Sequence, residues 1–157
     1  MPNTRTAVLV KPDGLQRGLI GEIITRFERK GLKLVGLKML DMTDEQLSEW
    51  YAEHKEKNFF DDLKSFMGSK PIVAMVWQGI DAVPVVRKLV GTTLGREAEA
   101  GSIRGDFGMS QQYNLIHASA NNDDAVREVA IVFSENELFD YQTVMEGVIY
   151  ADYEMGS

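Results

Sequence analysis

Apolar and polar residues follow one another along the chain in a pattern that predicts strands and helices in turn. Continuous apolar runs are typical of buried strands, and apolar residues at i, i+3, i+4 and i+7 are typical of helices. Strands are predicted at residues 5–11, 32–40, 72–77 and 113–117. Helices are predicted at residues 19–30, 44–54, 59–67, 82–90 and 123–133. Residues 92–112 are predicted to form a long irregular loop, and the stretch after the last helix is predicted to be mostly irregular.

Local signals set the ends of several of these helices. Thr43 and Gln46 have the spacing of a capping box, in which each side chain binds a backbone amide of the first turn. Asn58 and Asp81 are predicted as N-caps of the helices that follow them. Gly31 is predicted to end the first helix, because glycine adopts the left-handed conformation common after a helix.

The order of the elements predicts a single domain over residues 1–157, with residues from about 151 to 157 as a C-terminal tail. No linker, repeat or low-complexity segment interrupts the sequence. The strand and helix order is compatible with a parallel sheet and equally with a split β-α-β pair on an antiparallel sheet, and periodicity alone leaves both open.

Charge and composition narrow the classes of function. The formal net charge is −7, from 24 acidic and 17 basic residues, which argues against nucleic acid as the main substrate. The chain has no cysteine, so disulfides and thiolate metal sites are excluded. It contains no apolar run long enough to span a membrane, and its N-terminus lacks the apolar core of a secretory signal. A cytoplasmic protein is expected.

His117 has the most informative surroundings in the sequence. It closes the apolar run 113–117, and the glycine-rich loop 101–108 upstream contains Arg104. A neutral imidazole can attack phosphorus without a separate base, so a nucleophile is one interpretation. A lone histidine on an apolar strand is also typical of a core residue, and both interpretations stand at this point.

Glu128 lies at the border of the apolar stripe of the helix after His117. A carboxylate there can turn toward the strand and hold one imidazole nitrogen, whereas the alternative is an ordinary solvated glutamate.

Lys11, Arg87 and Arg104 follow or interrupt apolar segments; each alone is typical of a surface cation, whereas together they can form a clamp for phosphate. Thr93 adds a hydroxyl. Phe59 can offer a flat face for a nucleobase, or it can be a core residue, since Phe60 and Leu63 indicate that this segment also contributes to a core. No cluster of metal ligands occurs at the usual spacings, so a protein-held metal is not predicted.

These segments resemble the motifs of one known family. Residues 114–119, Asn-Leu-Ile-His-Ala-Ser, are similar to its active-site signature N-x-x-H-[GA]-S. Residues 11–14, Lys-Pro-Asp-Gly, with Gln-Arg-Gly at 16–18, resemble its N-terminal motif, and residues 101–107 resemble its G-[TS]-I-R-G-D-[FY] loop. The chain therefore resembles a nucleoside diphosphate kinase from about residue 4 to residue 150.

The resemblance implies a ferredoxin-like α/β sandwich, in which helices flank a four-stranded antiparallel sheet. It implies transfer of the γ-phosphate of a nucleoside triphosphate, such as ATP or GTP, to a diphosphate, such as GDP, through a phosphohistidine. It also implies Mg²⁺ carried by the nucleotide phosphates, and a homo-oligomer, either a tetramer or a hexamer.

The resemblance assigns a role to each candidate site residue. His117 matches the nucleophile, Glu128 the residue that orients it, and Ser119 a residue beside that glutamate. Lys11 and Asn114 match the contacts to the ribose 3′-hydroxyl, and Lys11 also counts among the catalytic and phosphate-contacting groups. The remaining phosphate contacts match Tyr51, Arg87, Thr93 and Arg104. Phe59, with Leu63 beside it, matches the aromatic residue that stacks on the base.

The chain departs from the family pattern at a few positions. Ala120 stands where aspartate is usual, Leu94-Gly95 where Asn-Pro is common, Ala100 where a proline is usual, and Lys57 where an arginine is common. None of these changes removes a predicted phosphate contact, so they are expected to affect loop rigidity and assembly rather than chemistry.

Two other functions are compatible with the predicted elements. A nucleotide-binding regulatory module would keep the fold and lose turnover, but every matched catalytic position is filled here. A ferredoxin-like nucleic-acid binder would need paired exposed aromatic residues on a strand, and the net charge disfavours it.

Overall fold

The computed structural model describes residues 3–156, and its centre is a four-stranded antiparallel sheet with the strand order β2-β3-β1-β4. The strands are β1 (Asn3–Val10), β2 (Lys33–Leu40), β3 (Ile72–Ile80) and β4 (Ile116–Ala118). The sheet confirms the antiparallel ferredoxin-like sandwich that the family resemblance implies, and it decides against a parallel sheet. Because β2 and β4 are the edge strands, His117 lies at one edge of the sheet.

Helices cover both faces of the sheet. The longer ones are α2 (Ile20–Lys30), α3 (Asp44–Trp50), α4 (Phe60–Met67), α5 (Ala82–Val90) and α7 (Asn122–Val132). The short ones are α1 (Pro12–Gln16), α6 (Ile103–Phe107), α8 (Glu146–Ile149) and α9 (Asp152–Met155). Single 3₁₀ turns occupy Ala52–His54, Gly95–Glu97 and Glu135–Glu137. No helix within residues 3–156 is long and apolar enough to cross a membrane.

The alternation of side chains along β1 divides the core into two layers. Val8 and Val10 face α2 and α5, whereas Ala7 and Leu9 face α3 and α7. His117 is the direct cross-strand partner of Leu9, so its side chain points toward the layer that contains α3 and α7. This register decides which helices can contact the imidazole.

Two of the predicted helix ends are confirmed. The Thr43 side chain accepts a hydrogen bond from the Gln46 amide, and the Gln46 side chain accepts one from the Thr43 amide. Gly31 ends α2 with a φ of 106°, in the left-handed region.

Of the two other predicted caps, one is wrong and one is right only in position. Asn58 does not cap α4, which begins one residue later than predicted, after Phe59. Asp81 occupies the N-cap position of α5, but its side chain makes no capping hydrogen bond, since its backbone is left-handed with a φ of 53° and Pro84, the third helical residue, has no amide to donate.

The predicted strand at 113–117 and the predicted loop at 92–112 also need correction. The strand begins only at Ile116, because Leu115 has a φ of 76° and the Ile116 amide donates to the carbonyl of Asn114. This is a γ-turn, which interrupts strand geometry. The loop contains helix α6 and a 3₁₀ turn, and Ser102 caps α6 by accepting from the Gly105 amide.

Candidate active site

A cavity of about 610 Å³ lies beside the β4 edge of the sheet. It is bounded by Lys11, which follows β1, and by residues from α4, α5, α6, β4 and the loops between α5 and β4. Eight of the predicted site residues line it, namely Lys11, Phe59, Leu63, Arg87, Thr93, Arg104, Asn114 and His117. The structure therefore brings together side chains that are widely separated in the sequence.

Behind the cavity wall, His117 is held by a buried carboxylate. Its Nε2 lies 2.8 Å from Oε1 of Glu128, a residue that is only 4% exposed on helix α7. The Ser119 hydroxyl donates to the same Oε1 over 2.9 Å and accepts a hydrogen bond from the Ala7 amide over 3.2 Å. Glu128 is thus a buried and doubly hydrogen-bonded group, not a solvated glutamate.

Lys11 and Asn114 form a second hydrogen-bonded pair on the cavity wall. The Lys11 ammonium donates to Oδ1 of Asn114 over 2.8 Å. The Asn114 amide nitrogen donates to the carbonyls of Thr93 and Gln111 over 2.9 and 2.8 Å, so its orientation is fixed. Burial lowers the pKa of Lys11 to about 8, with the positive charge of Arg104 acting in the same direction and Asp13 partly opposing the shift.

Arg104 ties three backbone segments to the cavity. Its guanidinium donates to the carbonyls of Gly91, Asn114 and Ile116 over 3.0, 3.2 and 2.6 Å. Burial, followed by the neighbouring charge of Arg87, lowers the pKa of Arg104 to about 10. Two guanidinium groups at close range, together with Lys11, give this part of the cavity a positive potential.

The turn after β1 shapes the backbone that precedes His117. The Asp13 carboxylate accepts a hydrogen bond from the Leu115 amide over 3.0 Å, and the Leu115 carbonyl accepts one from the Lys11 amide over 2.8 Å. A Cβ at Gly14 would lie 2.7 Å from that carbonyl, which explains why glycine occupies this position. These contacts hold Leu115 in its left-handed conformation, which is strained for a residue with a branched side chain.

Helix α4 provides the more exposed wall of the cavity. Phe59 is 45% exposed, with the His54 ring 5.4 Å from its own and the Lys57 ammonium 5.4 Å from its centroid. Leu63 lines the cavity beside it. An apolar platform with an exposed ring face is suited to a planar ligand.

Tyr51 is the predicted phosphate contact that does not line the cavity. It follows helix α3, and its ring lies 6.3 Å from the ring of His54. Burial raises the pKa of its phenol, and the negative charge of Glu128 raises it further, so the hydroxyl stays protonated.

Sequence reasoning missed several residues of this region. Asp13 positions Leu115, and its place inside the Lys-Pro-Asp-Gly motif was the available signal. Three further polar residues line the cavity without any signal in the sequence, namely Asp62, Gln111 and Gln112. Trp50, which the helical pattern indicates only as a core residue of α3, contacts the ring of His117.

A histidine held by a buried carboxylate and placed beside three cations is the arrangement of a site that handles phosphoryl groups. The fold and the cavity therefore define a nucleotide- or phosphate-handling protein of the ferredoxin-like class.

Comparison with known proteins identifies the family. The family model described as nucleoside diphosphate kinase matches residues 4–138. A nucleoside diphosphate kinase from Staphylothermus marinus is 51% identical over 141 residues, covering 90% of this chain and 100% of the relative. One from Parabacteroides distasonis is 50% identical over 150 residues, covering 96% and 98%.

Solved structures agree with the sequence comparisons. A halophilic nucleoside diphosphate kinase from Halobacterium salinarum in complex with CDP superposes with a TM-score of 0.92 at 48% identity, covering 95% of this chain and 99% of that one. A nucleoside diphosphate kinase family protein from Babesia bovis also gives 0.92, at 46% identity, covering 94% and 99%. The chain belongs to the nucleoside diphosphate kinase family, and it is an enzyme that transfers phosphate between nucleotides.

Proposed function

We propose that this enzyme works by a ping-pong mechanism through a phosphohistidine at His117. The hydrogen bond between Nε2 and Glu128 is the observation that supports it, because it leaves Nδ1 as the nitrogen with a free lone pair. His117 also lines the cavity, so that lone pair can reach a ligand. Glu128 stabilises the positive charge that develops on the ring during attack.

In the first half of the reaction, Nδ1 of His117 attacks the γ-phosphorus of a nucleoside triphosphate. An N–P bond forms, the bond from the γ-phosphorus to the bridging oxygen breaks, and the electron pair leaves with the nucleoside diphosphate. In the second half, a terminal oxygen of a different diphosphate attacks the phosphohistidine. The N–P bond then breaks, the imidazole regains its lone pair, and a new triphosphate leaves.

The cations of the cavity are proposed to hold the phosphates. Lys11, Arg87 and Arg104 carry positive charge to the cavity wall, and Thr93 adds a hydroxyl. Tyr51 is proposed to contact the phosphates through its hydroxyl. This hydroxyl lies outside the lining of the cavity and close to the negative charge of Glu128.

Mg²⁺ is proposed to arrive as part of the substrate, bound to the nucleotide phosphates. The residues fit this arrangement, because the three cations bind phosphate oxygens and leave the metal to take its other ligands from the nucleotide and water. Within residues 3–156, no group of three or more histidines, cysteines or carboxylates is placed to hold a metal. The ion would add charge neutralisation at the phosphates.

The remaining contacts are proposed to bind the nucleoside. The paired side chains of Lys11 and Asn114 offer a donor and an acceptor to the ribose 3′-hydroxyl. Phe59, with Leu63, offers a stacking surface for the base, and stacking discriminates little among bases. Several nucleoside diphosphates and triphosphates are therefore the proposed substrates, and a cytoplasmic location is proposed for the enzyme.

A homo-oligomer, either a tetramer or a hexamer, is also proposed. Edge strand β2 exposes Leu37 and Met39, which are 49% and 61% accessible, and such a strand is a ready surface for pairing. Sedimentation equilibrium would give the mass of the assembly.

The mechanism is tested by mixing the protein with [γ-³²P]ATP and Mg²⁺ and then adding GDP. We expect an acid-labile, base-stable phosphoprotein that discharges to labelled GTP. His117→Ala should abolish both the label and turnover while nucleotide still binds. Turnover at the parental rate in His117→Ala, or turnover without any phosphoprotein, would exclude the mechanism.

A further inference from the structure

Trp50 lies in ring contact with the proposed nucleophile. The centroids of the Trp50 and His117 rings are 5.0 Å apart, and the ring planes meet at 71°, which is an edge-to-face arrangement. Trp50 is only 5% exposed, at the C-terminal end of α3. We propose that Trp50 is a positioning residue, which sets the plane of the His117 imidazole for attack on phosphorus. This proposal rests on the phosphohistidine mechanism proposed above.

The hydrogen bond to Glu128 does not by itself fix the imidazole. A ring held at Cβ and at Nε2 can still rotate about the line that joins these two atoms, and this rotation moves Nδ1. The indole of Trp50 provides a wall against which the ring rests. Attack requires close control of geometry, since a misplacement of about 1 Å can slow a reaction by about 100-fold.

The two side chains that contact the imidazole belong to helices that are tied together. Gln46 of α3 donates to the carbonyl of Ile131 of α7 over 3.2 Å. Arg127 of α7 donates to the carbonyl of Glu49, the residue before Trp50, over 3.2 Å. Trp50 on α3 and Glu128 on α7 therefore contact the imidazole from two helices, and hydrogen bonds near both ends of α3 join these helices.

A purely structural role is the alternative, because Trp50 also belongs to the core layer between the sheet and α3. The chain offers an internal comparison. Its other tryptophan, Trp77, is fully buried on the opposite face of the sheet, where it packs 5.2 Å from the ring of Phe27. Trp77 has the same side chain but no part in the site.

The first experiment compares two apolar substitutions, which both leave part of the indole volume unfilled. Trp50→Phe keeps an aromatic wall, and Trp50→Leu keeps only apolar volume. The phosphorylation rate of the enzyme by ATP is measured in a single turnover, and nucleotide affinity is measured separately with MgADP. We expect Trp50→Leu to slow phosphorylation by about tenfold and Trp50→Phe by less than about twofold, with MgADP affinity changed by less than about twofold in both. A parental rate in Trp50→Leu, or equal loss in both variants, would overturn the proposal.

The second experiment uses the emission of Trp50 itself. In Trp77→Phe, which should keep parental activity, Trp50 is the sole indole, and it touches the ring that becomes phosphorylated. Adding MgATP should change its emission as the ³²P label appears on the protein, and adding GDP should reverse both signals. The same protein with His117→Asn reports the effect of nucleotide binding alone, which should be smaller.

The outcomes of this measurement separate the two proposals. Label on the protein without a change in emission beyond that of the His117→Asn control would overturn the role of Trp50 and leave the phosphohistidine mechanism standing. No label would overturn the mechanism, and the positioning role with it.

Discussion

Around His117, the cavity is built from side chains that are buried and hydrogen-bonded, whereas the α4 wall presents an exposed ring. Ser119, Asn114 and Glu128 are 0%, 1% and 4% exposed, while Phe59 is 45% exposed. The buried residues are fixed by several hydrogen bonds each, whereas the Phe59 side chain is in contact with the His54 ring and the Lys57 ammonium. The two regions therefore differ in how tightly they hold a ligand.

This difference matches the two demands that the reaction places on the enzyme. Phosphoryl transfer depends on accurate positioning and on fixed charges, which need a rigid and partly dehydrated environment. Stacking on a base tolerates small movements, since every base offers a flat face. A rigid region around His117, formed by Asn114, Ser119 and Glu128, and a tolerant region at Phe59 therefore suit the proposed use of several nucleotides as substrates.

The largest effect on kcat is expected from a substitution of Glu128. Glu128→Gln keeps the size of the side chain but removes the charge that orients the His117 ring and stabilises it during attack. We expect kcat to fall by about 100-fold, with the affinity for MgADP nearly unchanged. Single-turnover phosphorylation and equilibrium binding check the two parts.

Ser119→Ala is the matched control for Glu128→Gln. It removes one of the two hydrogen bonds to Oε1 and keeps the carboxylate, so the loss in kcat should be about tenfold or less. A normal kcat in Glu128→Gln, or a greater loss in Ser119→Ala, would contradict the assignment of the orienting role to the carboxylate.

A second large effect is expected at Arg104, which serves both the fold and the charge of the cavity. Arg104→Ala should lower kcat/KM by between about tenfold and about 150-fold, the equivalent of about 1.5–3 kcal/mol for a charged hydrogen bond. It should also lower the melting temperature, because the carbonyls of Gly91, Asn114 and Ile116 lose the hydrogen bonds that Arg104 donates. Steady-state kinetics and thermal unfolding measure the two effects.

Two comparison variants separate these contributions. Arg104→Lys keeps the charge without the planar fork, so part of the activity should return while the melting temperature stays low. Arg87→Ala removes an exposed cation that lines the same cavity, so it should lower kcat/KM and leave the melting temperature unchanged. Equal thermal destabilisation in Arg87→Ala would show that the structural role is not particular to Arg104.

Local signals in the sequence were sufficient to predict where most of the strands lie and which residues group in the cavity, whereas the antiparallel arrangement of the sheet followed from the family resemblance alone. Apolar periodicity located the helices, and the motifs around Lys11, Arg104 and His117 indicated residues that the fold brings together. The capping box at Thr43 was predicted correctly because its partners are three residues apart.

The missed features depend on contacts between distant parts of the chain. The strand before His117 is cut short because Asp13 holds Leu115 in a left-handed conformation, and the apolar pattern is the same with or without that contact. Helical geometry placed Glu128 at the edge of an apolar stripe, but only the packing of α7 on β1 decides that it is buried. Trp50 belongs to the apolar stripe of its helix, and the periodicity of the sequence does not show that its ring contacts His117.

A smaller effect within the rigid region is expected from pH. Burial and the charge of Arg104 lower the pKa of Lys11 to about 8, so its charge is present below that pH and is lost as pH rises through it. The kcat/KM profile, which reports the free enzyme, should therefore fall above about pH 8, and the kcat profile should fall at higher pH because bound phosphate favours the charged ammonium. Lys11→Arg should move the fall in kcat/KM to higher pH.

The lowered pKa of Lys11 affects stability and activity in opposite directions as pH rises, and this difference serves as an internal control. The pKa of Lys11 is about 8 in the folded protein and 10.5 for a lysine in open solvent, so the unfolded chain binds more protons between these values. The contribution of Lys11 to the free energy of unfolding should therefore increase from pH 8 toward pH 10.5, while activity falls. A kcat/KM profile that is flat to about pH 10 would contradict the assignment of Lys11 as a charged contact.

The smallest effect is expected from the tolerant region, at Phe59. Phe59→Ala removes a stacking surface that is already partly exposed, so KM should rise by about fivefold, the equivalent of about 1 kcal/mol, with kcat nearly unchanged. The rise should be similar for ADP, GDP and CDP, because stacking reads the flat face that all bases share. Phe59→Leu keeps apolar volume without a ring and should give an intermediate KM. A rise confined to one base would mean that this region recognises base identity, and the contrast between a precise phosphate region and a tolerant base region would then fail.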